Sequence, residues 1–189
     1  MSLLTTAAQT IGPFGAIIFE HTQVKEVAPV GVEGERVVIR GCLLDGDGKP
    51  VDDATIETWQ ANSYGKYAHP DDVQEKPLDD RFRGFGRVLS ASDGSFRLNT
   101  IKPGSVPGSG GAVQAPHLVV IVFMRGLLKH LMTRVYFPDE PANAADPVLA
   151  LVPTARRSTL IAKKLAGEPG TLEWNVNLQG REETVFFDC

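Results

Sequence analysis

A chain of 189 residues with 42 % hydrophobic and 22 % charged residues is long enough for one soluble domain with a substantial core. A formal net charge of −4 removes the basic footprint that nucleic-acid binding requires, and the longest apolar run, Leu118 to Met124, is far too short to span a bilayer. The opening Met1-Ser2-Leu3-Leu4-Thr5-Thr6 lacks the basic start and apolar core of a secretory signal, and Cys42 and Cys189 show no disulfide or metal spacing. The expectation is therefore a cytoplasmic protein with reduced thiols.

Residues 1–33 carry few core signals and read as an N-terminal arm that packs on something else, a partner subunit on the resemblance given below; residues 34–189 read as a single domain. Its strand signals begin with Arg36–Leu44 and Ala54–Trp59, on either side of the Asp- and Gly-rich turn 45–50, which is a hairpin signature. The turn is not a calcium loop: counting from Asp45, the twelfth position is Ile56 instead of a bidentate Glu, and Lys49 occupies a ligand place. Further strands are expected at Gly86–Ser90, Ser95–Thr100, His117–Phe123, Arg134–Phe137 and Leu172–Leu178. Asn62–Phe85 and Pro103–Gln114 read as loops, the first polar with aromatics and the second rich in Gly, Ser and Pro. Thr154–Leu165 is the best helix candidate, with Thr154 as cap, Leu160, Ile161 and Leu165 on one face and Gly167 after the end. Short strands between turns, without alternating helices, predict a mainly β fold, a β-sandwich with long loops and one helix in the C-terminal half.

Familiar chemistries find no support. There is no Gly-x-Ser-x-Gly elbow, and Pro107-Gly108-Ser109-Gly110-Gly111 lacks the Lys-Ser/Thr ending of a phosphate loop. Cys42 is expected to be buried in its strand, and Asp71-Asp72 and Asp79-Asp80 read as solvated loop charges. In Ala115-Pro116-His117-Leu118-Val119 a histidine begins a strand, and the residue two positions on, which shares its face, is an apolar valine. By spacing alone, His117 is a partly buried, hydrogen-bonded histidine, Tyr67 a packing or surface residue, and Arg134 either a member of an ordinary strand-edge salt bridge or a functional cation.

Collinear motifs give a more specific reading. Trp59-Gln60-Ala61-Asn62, Gly65-Lys66-Tyr67, Phe85-Gly86-Arg87, Asp93-Gly94-Ser95-Phe96 and Thr100-Ile101-Lys102-Pro103-Gly104 resemble the intradiol ring-cleavage dioxygenases in order and spacing. Leu160-Ile161-Ala162-Lys163 and Glu183-Thr184-Val185-Phe186-Phe187-Asp188 extend the likeness almost to the C-terminus. The resemblance implies the prealbumin-like sandwich of aromatic-ring dioxygenases. Catalytic members of that family hold a ferric ion with two tyrosines and two histidines, a donor set suited to hard Fe(III). Tyr67 matches the first tyrosine and His117 the first histidine. The second tyrosine falls just after Lys102-Pro103-Gly104, where this chain has Ser105-Val106-Pro107, and the second histidine falls at Val119.

The resemblance is to the α-type, iron-free subunits of the family. It implies that Tyr67 and His117 are relict positions, that this chain alone has no catalytic residue and binds no metal, and that Fe(III) sits in a homologous β subunit of a hetero-oligomer. The implied reaction is O2-dependent cleavage of protocatechuate to 3-carboxy-cis,cis-muconate. The string Gln9-Thr10-Ile11-Gly12-Pro13-Phe14 matches one that lines the partner's pocket in such subunits, which makes Thr10, Gly12 and Pro13 substrate-binding candidates. Arg134 matches an arginine that reaches the same pocket, where a guanidinium would favour the substrate carboxylate. Two other readings stay open: a self-sufficient enzyme with an altered ligand set that recruits Tyr64 or His69, and a non-enzymatic sandwich module.

Overall fold

The computed structural model describes residues 14–188; Thr10, Gly12 and Pro13 lie outside the described residues. The chain opens with α1 (Phe14–Phe19) and continues into β1 (Arg36–Leu44), β2 (Thr55–Trp59), β3 (Phe85–Leu89), β4 (Ser95–Ile101), β5 (Val106–Pro107), β6 (Val113–Gln114), β7 (His117–Phe123) and β8 (Leu131–Tyr136). The helix α2 (Pro147–Leu151) follows, then β9 (Lys163–Lys164), β10 (Thr171–Glu173) and β11 (Val176–Asn177).

Nine of these strands form two sheets, and β5 and β6 pair only with each other. One has the order β3-β2-β7-β8, all antiparallel. The other is centred on β1, flanked by antiparallel β4 on one side and by parallel β10 and β11 on the other, with β9 outside β10. Val37, Ile39 and Leu43 of β1, with Phe96 and Leu98 of β4, face Ile56, Val88, Leu118, Val120, Val122 and Val135 of the opposite sheet in one buried cluster. Alternation along β1 explains this, because every second residue is buried while Arg36, Val38 and Arg40 point outward. The β-sandwich expected from the sequence is the fold of the chain.

Three local expectations are corrected. The turn 45–50 folds tightly, with Asp45 N–H donating to the Lys49 carbonyl at 2.9 Å and a Leu44–Pro50 bridge. However, β1 and β2 do not pair, and the turn passes the chain from one sheet to the other. The expected strand 172–178 is broken between β10 and β11. At Gly41 a Cβ would stand 1.8 Å from the Trp174 carbonyl oxygen, so the missing side chain admits a kink, and Asn175 Oδ1 accepts the Cys42 N–H at 2.9 Å.

The expected helix 154–165 is a 3-10 segment over Thr154–Leu160, followed by β9. Its polar groups are claimed elsewhere. The Thr159 carbonyl accepts from Trp174 Nε1 at 3.0 Å, Thr159 Oγ1 donates to the Arg156 carbonyl at 2.8 Å, and Ala162 N–H donates to the Tyr136 carbonyl at 3.0 Å. The α-helix of this half is α2, started by Asp146 and Pro147.

Of the stretch expected to be an arm, the part from Val24 onward packs on the chain's own sandwich. Val24 and Arg87 exchange backbone hydrogen bonds, Val27 N–H donates to Asn99, and Val27, Ala28 and Val32 are buried in the core. Just before it, the Phe19 ring lies 4.5 Å from the Arg87 guanidinium, which also pairs with Glu57 at 2.7 Å and donates to Thr22 Oγ1 at 2.9 Å. Both side chains of the ion pair are about one-fifth exposed, so the pair is poorly screened. Arg87→Ala is expected to cost about 1–2 kcal/mol. Limited proteolysis of the variant should begin in residues 14–23; unchanged cleavage there would show that the guanidinium does not anchor this segment.

Candidate functional site

The site lies on the outer face of the β3-β2-β7-β8 sheet, where the register sets the neighbours. Trp59 of β2 pairs with Val119 of β7, and Val119 pairs with Arg134 of β8; in the adjacent row His117 pairs with Tyr136. Tyr67 is brought to this face by the loop after β2, and Asn62 organises that loop. Its Oδ1 accepts from Tyr64 and Lys66 N–H at 3.0 and 2.9 Å, and its Nδ2 donates to the Pro77 carbonyl at 2.7 Å. Gly65 takes φ +76°, and a Cβ there would lie 2.0 Å from the Ser105 carbonyl oxygen, so only glycine admits the segment that follows Gly104. Gln60, fully buried, ties the two sheets together: Oε1 accepts from Thr100 Oγ1 at 2.5 Å and Nε2 donates to the Ile101 carbonyl at 3.0 Å.

The Tyr67 ring stacks parallel to Trp59, with centroids 6.0 Å apart, and His69 meets Trp59 edge-on. Burial raises the Tyr67 pKa, Arg134 opposes the rise, and Asp72 adds to it. Trp59, Tyr67, His69, Val73 and Pro107 line an open cleft of about 730 Å³, with Asp71, Asp72 and Gln74 on its rim. Pro107 belongs to the segment at the expected second-tyrosine position, so that position does border Tyr67.

His117 is buried, and its Nδ1 lies 2.7 Å from the Ala115 carbonyl oxygen. Since a carbonyl only accepts, Nδ1 carries the proton in the neutral ring. Burial and the Arg134 guanidinium lower the His117 pKa to about 4. Arg134 donates to Gln114 Oε1 at 2.6 Å and lies 3.4 Å from the Tyr136 hydroxyl. Among the described residues it forms no ion pair, so the salt bridge suggested by its position on an edge strand is absent.

Behind this row is a buried centre that sequence reasoning missed. Asp146 is fully buried. Its Oδ1 accepts from Val148 N–H, Leu149 N–H and the Tyr136 hydroxyl at 2.9, 2.8 and 3.1 Å, and its Oδ2 accepts from Ala115 N–H at 2.8 Å. Burial also raises the Tyr136 pKa. The sequence signal was available in Asp146-Pro147, a cap residue followed by proline at the first helical position. Cys42, expected to be buried, is only partly so; burial and the Asp93 and Glu173 carboxylates raise its pKa, which keeps the thiol protonated and poorly nucleophilic.

The residue set places this molecule in a known class. The chain matches the family model described as "Dioxygenase" over residues 16–180 and belongs to the intradiol ring-cleavage dioxygenases. It is 42 % identical to the protocatechuate 3,4-dioxygenase alpha chain of Burkholderia cepacia, covering 99 % of this chain and 98 % of that one. It is also 35 % identical to the beta chain of the same enzyme from that organism, covering 94 % of this chain and 77 % of that one. Among solved structures, the dioxygenase domain of a carbohydrate-binding fusion protein from Streptomyces sp. SirexAA-E aligns with TM-score 0.64 at 24 % identity. That alignment covers 86 % of this chain and 89 % of that one, and it supports the fold alone.

The family works with non-haem iron, and the residues of this face do not fit such an ion. Of the four positions that the resemblance marks as ligands, only Tyr67 and His117 carry donors. Val119 offers none, and its cross-strand neighbour is a guanidinium whose charge acts on both Tyr67 and His117. Among the described residues, no group of three or more His, Cys, Asp or Glu is arranged to hold a metal.

Proposed function

We propose that this chain is the iron-free supporting subunit of a protocatechuate-type 3,4-dioxygenase, a cytoplasmic hetero-oligomer in which a homologous β subunit holds Fe(III). The observation that carries the reading is the row Trp59–Val119–Arg134 beside His117. A position that should donate an imidazole carries a valine, and a fixed cation sits next to it. Two remaining donors beside a positive charge cannot compete with water for a ferric ion. The implied reaction, ring opening of protocatechuate with both atoms of O2 to give 3-carboxy-cis,cis-muconate, then belongs to the complex. End-to-end identity with an alpha chain, and weaker identity with a longer beta chain, supports the division of labour.

The test is iron content with a visible spectrum, on the chain alone and on the chain co-purified with its homologous partner. The expected result is a colourless chain alone and, in the complex only, iron, a tyrosinate-to-iron colour and protocatechuate-dependent oxygen uptake. Stoichiometric iron and colour in the isolated chain would overturn the reading in favour of a self-sufficient site.

Within the complex, this chain would contribute Thr10, Gly12, Pro13 and Arg134 to a wall of the substrate pocket. Arg134 supports that role because it is half-buried, held by Gln114 and without a carboxylate partner among the described residues. Arg134→Gln is expected to raise KM for the carboxylated catechol about tenfold or more, as a lost charge-assisted contact would. Iron content should not change, and KM for catechol itself should stay near wild type. Equal KM changes for both substrates would assign Arg134 to structure instead of carboxylate recognition.

A further inference from the structure

Once the ferric ion is excluded, the cleft at Trp59 and Tyr67 has no assigned occupant. Its walls are the parallel rings of Trp59 and Tyr67 and the edge-on ring of His69, with Pro107 and Val73 completing an apolar surface. Val73 is 87 % exposed and carries the apolar surface of the cleft out to solvent. The charge on the rim is negative. The Asp71 side chain is 91 % exposed, and its one ion pair among the described residues is with His69, at 3.7 Å; beside it lies Asp72, which accepts from Tyr67 N–H and Gln74 N–H and has Lys66 near it. Aromatic faces with carboxylates at their edge attract an organic cation, through the ring quadrupoles and through charge.

We propose that this cleft is the docking site for a lysine- or arginine-bearing segment of the homologous partner chain. The inference rests on the supporting-subunit reading. Charge complementarity selects a basic segment, and exposed Val73 gives its aliphatic stem an apolar surface to cover. Docking there also closes the relict face from solvent, continuous with the wall that Arg134 and the N-terminal string would form.

The experiment is the dissociation constant of the complex, measured by sedimentation at low and moderate salt for wild type, Asp71→Lys, Val73→Ser and Asp47→Lys. Asp47 lies on the turn at the opposite end of β2, with a side chain 77 % exposed, and serves as the charge-reversal control. The expected result is a Kd raised about tenfold or more by Asp71→Lys, with a weaker salt dependence, a smaller rise of about threefold for Val73→Ser with the salt dependence unchanged, and a control within twofold of wild type. Circular dichroism checks that each variant is folded. Wild-type values for both cleft variants in a complex that forms and is active would overturn the docking site while leaving the supporting-subunit reading intact. A wild-type chain that does not bind the homologous chain would overturn both. Self-association of this chain that Asp71→Lys abolishes would make a second copy the occupant and overturn the proposal.

Discussion

Asp146→Ala is expected to lower the unfolding free energy by about 3–5 kcal/mol in urea denaturation, the largest loss from any single substitution on the site face. The expectation follows from the four donors that converge on one fully buried carboxyl group. Two of them, the N–H groups of Val148 and Leu149, are the unpaired donors of the first turn of α2, and losing such a cap costs about 1–2 kcal/mol. The other two, Ala115 N–H and the Tyr136 hydroxyl, are enclosed with Leu149, Val152 and Leu160. Each would lose its acceptor, at about 1–3 kcal/mol apiece. Asp146→Asn separates these contributions: its amide oxygen can still cap α2, but its NH2 group would then face the Ala115 N–H. Tyr136→Phe, which removes one donor, should cost only about 1 kcal/mol. A loss for Asp146→Ala no larger than for Tyr136→Phe would show that the cap and the Ala115 contact contribute little.

Because Tyr136 also lies beside Arg134, the Asp146 variant should disturb the pocket wall as well as the fold. The chain of contacts Asp146–Tyr136–Arg134–Gln114 links the cap of α2 to the guanidinium on the site face. Arg134 is thus oriented by groups that no motif marks, and an Asp146 variant that remains folded should reproduce part of the KM effect of Arg134→Gln.

How much of this was legible in the sequence depended on the period of the signal. The strands of the two central sheets alternate cleanly, and Arg36–Leu44 and His117–Phe123 were read with the boundaries that β1 and β7 have. The motif residues were legible as a likeness, and their physics became visible only in three dimensions. Gln60 links the sheets, Asn62 shapes the Tyr67 loop, and Gly65 admits Ser105. His117 and Val119 share the outer face, as their spacing predicts, and the loop after β2 brings Tyr67 to that face. What the sequence hid is tertiary hydrogen bonding. Nothing local tells that Thr159 gives its carbonyl to Trp174, which helps keep 154–160 from continuing as an α-helix. Nor does spacing tell that the 45–50 turn joins strands of different sheets, because a hairpin and a sheet-to-sheet crossover use the same turn residues. Asp146 escaped because a lone acidic residue before proline is common, and only its convergence with Ala115 and Tyr136 makes it a centre.

Acidification from pH 6.5 towards about 4 is expected to remove roughly 3 kcal/mol of stability through His117 alone. The sign is set by which state binds the proton more readily. In the unfolded chain the imidazole titrates near its ordinary value of 6.5, whereas burial and the neighbouring Arg134 hold the folded value to about 4. Between these values the unfolded state takes up a proton that the folded state refuses. The contribution is therefore complete above 6.5, falls as pH drops, and is exhausted once both states are protonated. The exposed carboxylates whose pKa values are lowered, among them Asp79 and Asp93, act below their ordinary value of 3.8, so they leave this window largely to the histidine. Urea denaturation at intervals across the window should show a slope approaching one proton for wild type. His117→Asn should flatten it while lowering stability at neutral pH, since the Ala115 contact is altered. A variant slope equal to the wild-type slope would assign the acid sensitivity to other groups. The same burial and positive neighbour keep the ring neutral at pH 7, with Nδ1 committed to Ala115. This histidine thus works as a packing and hydrogen-bonding residue of the scaffold, in a row where Val119 has replaced the second imidazole.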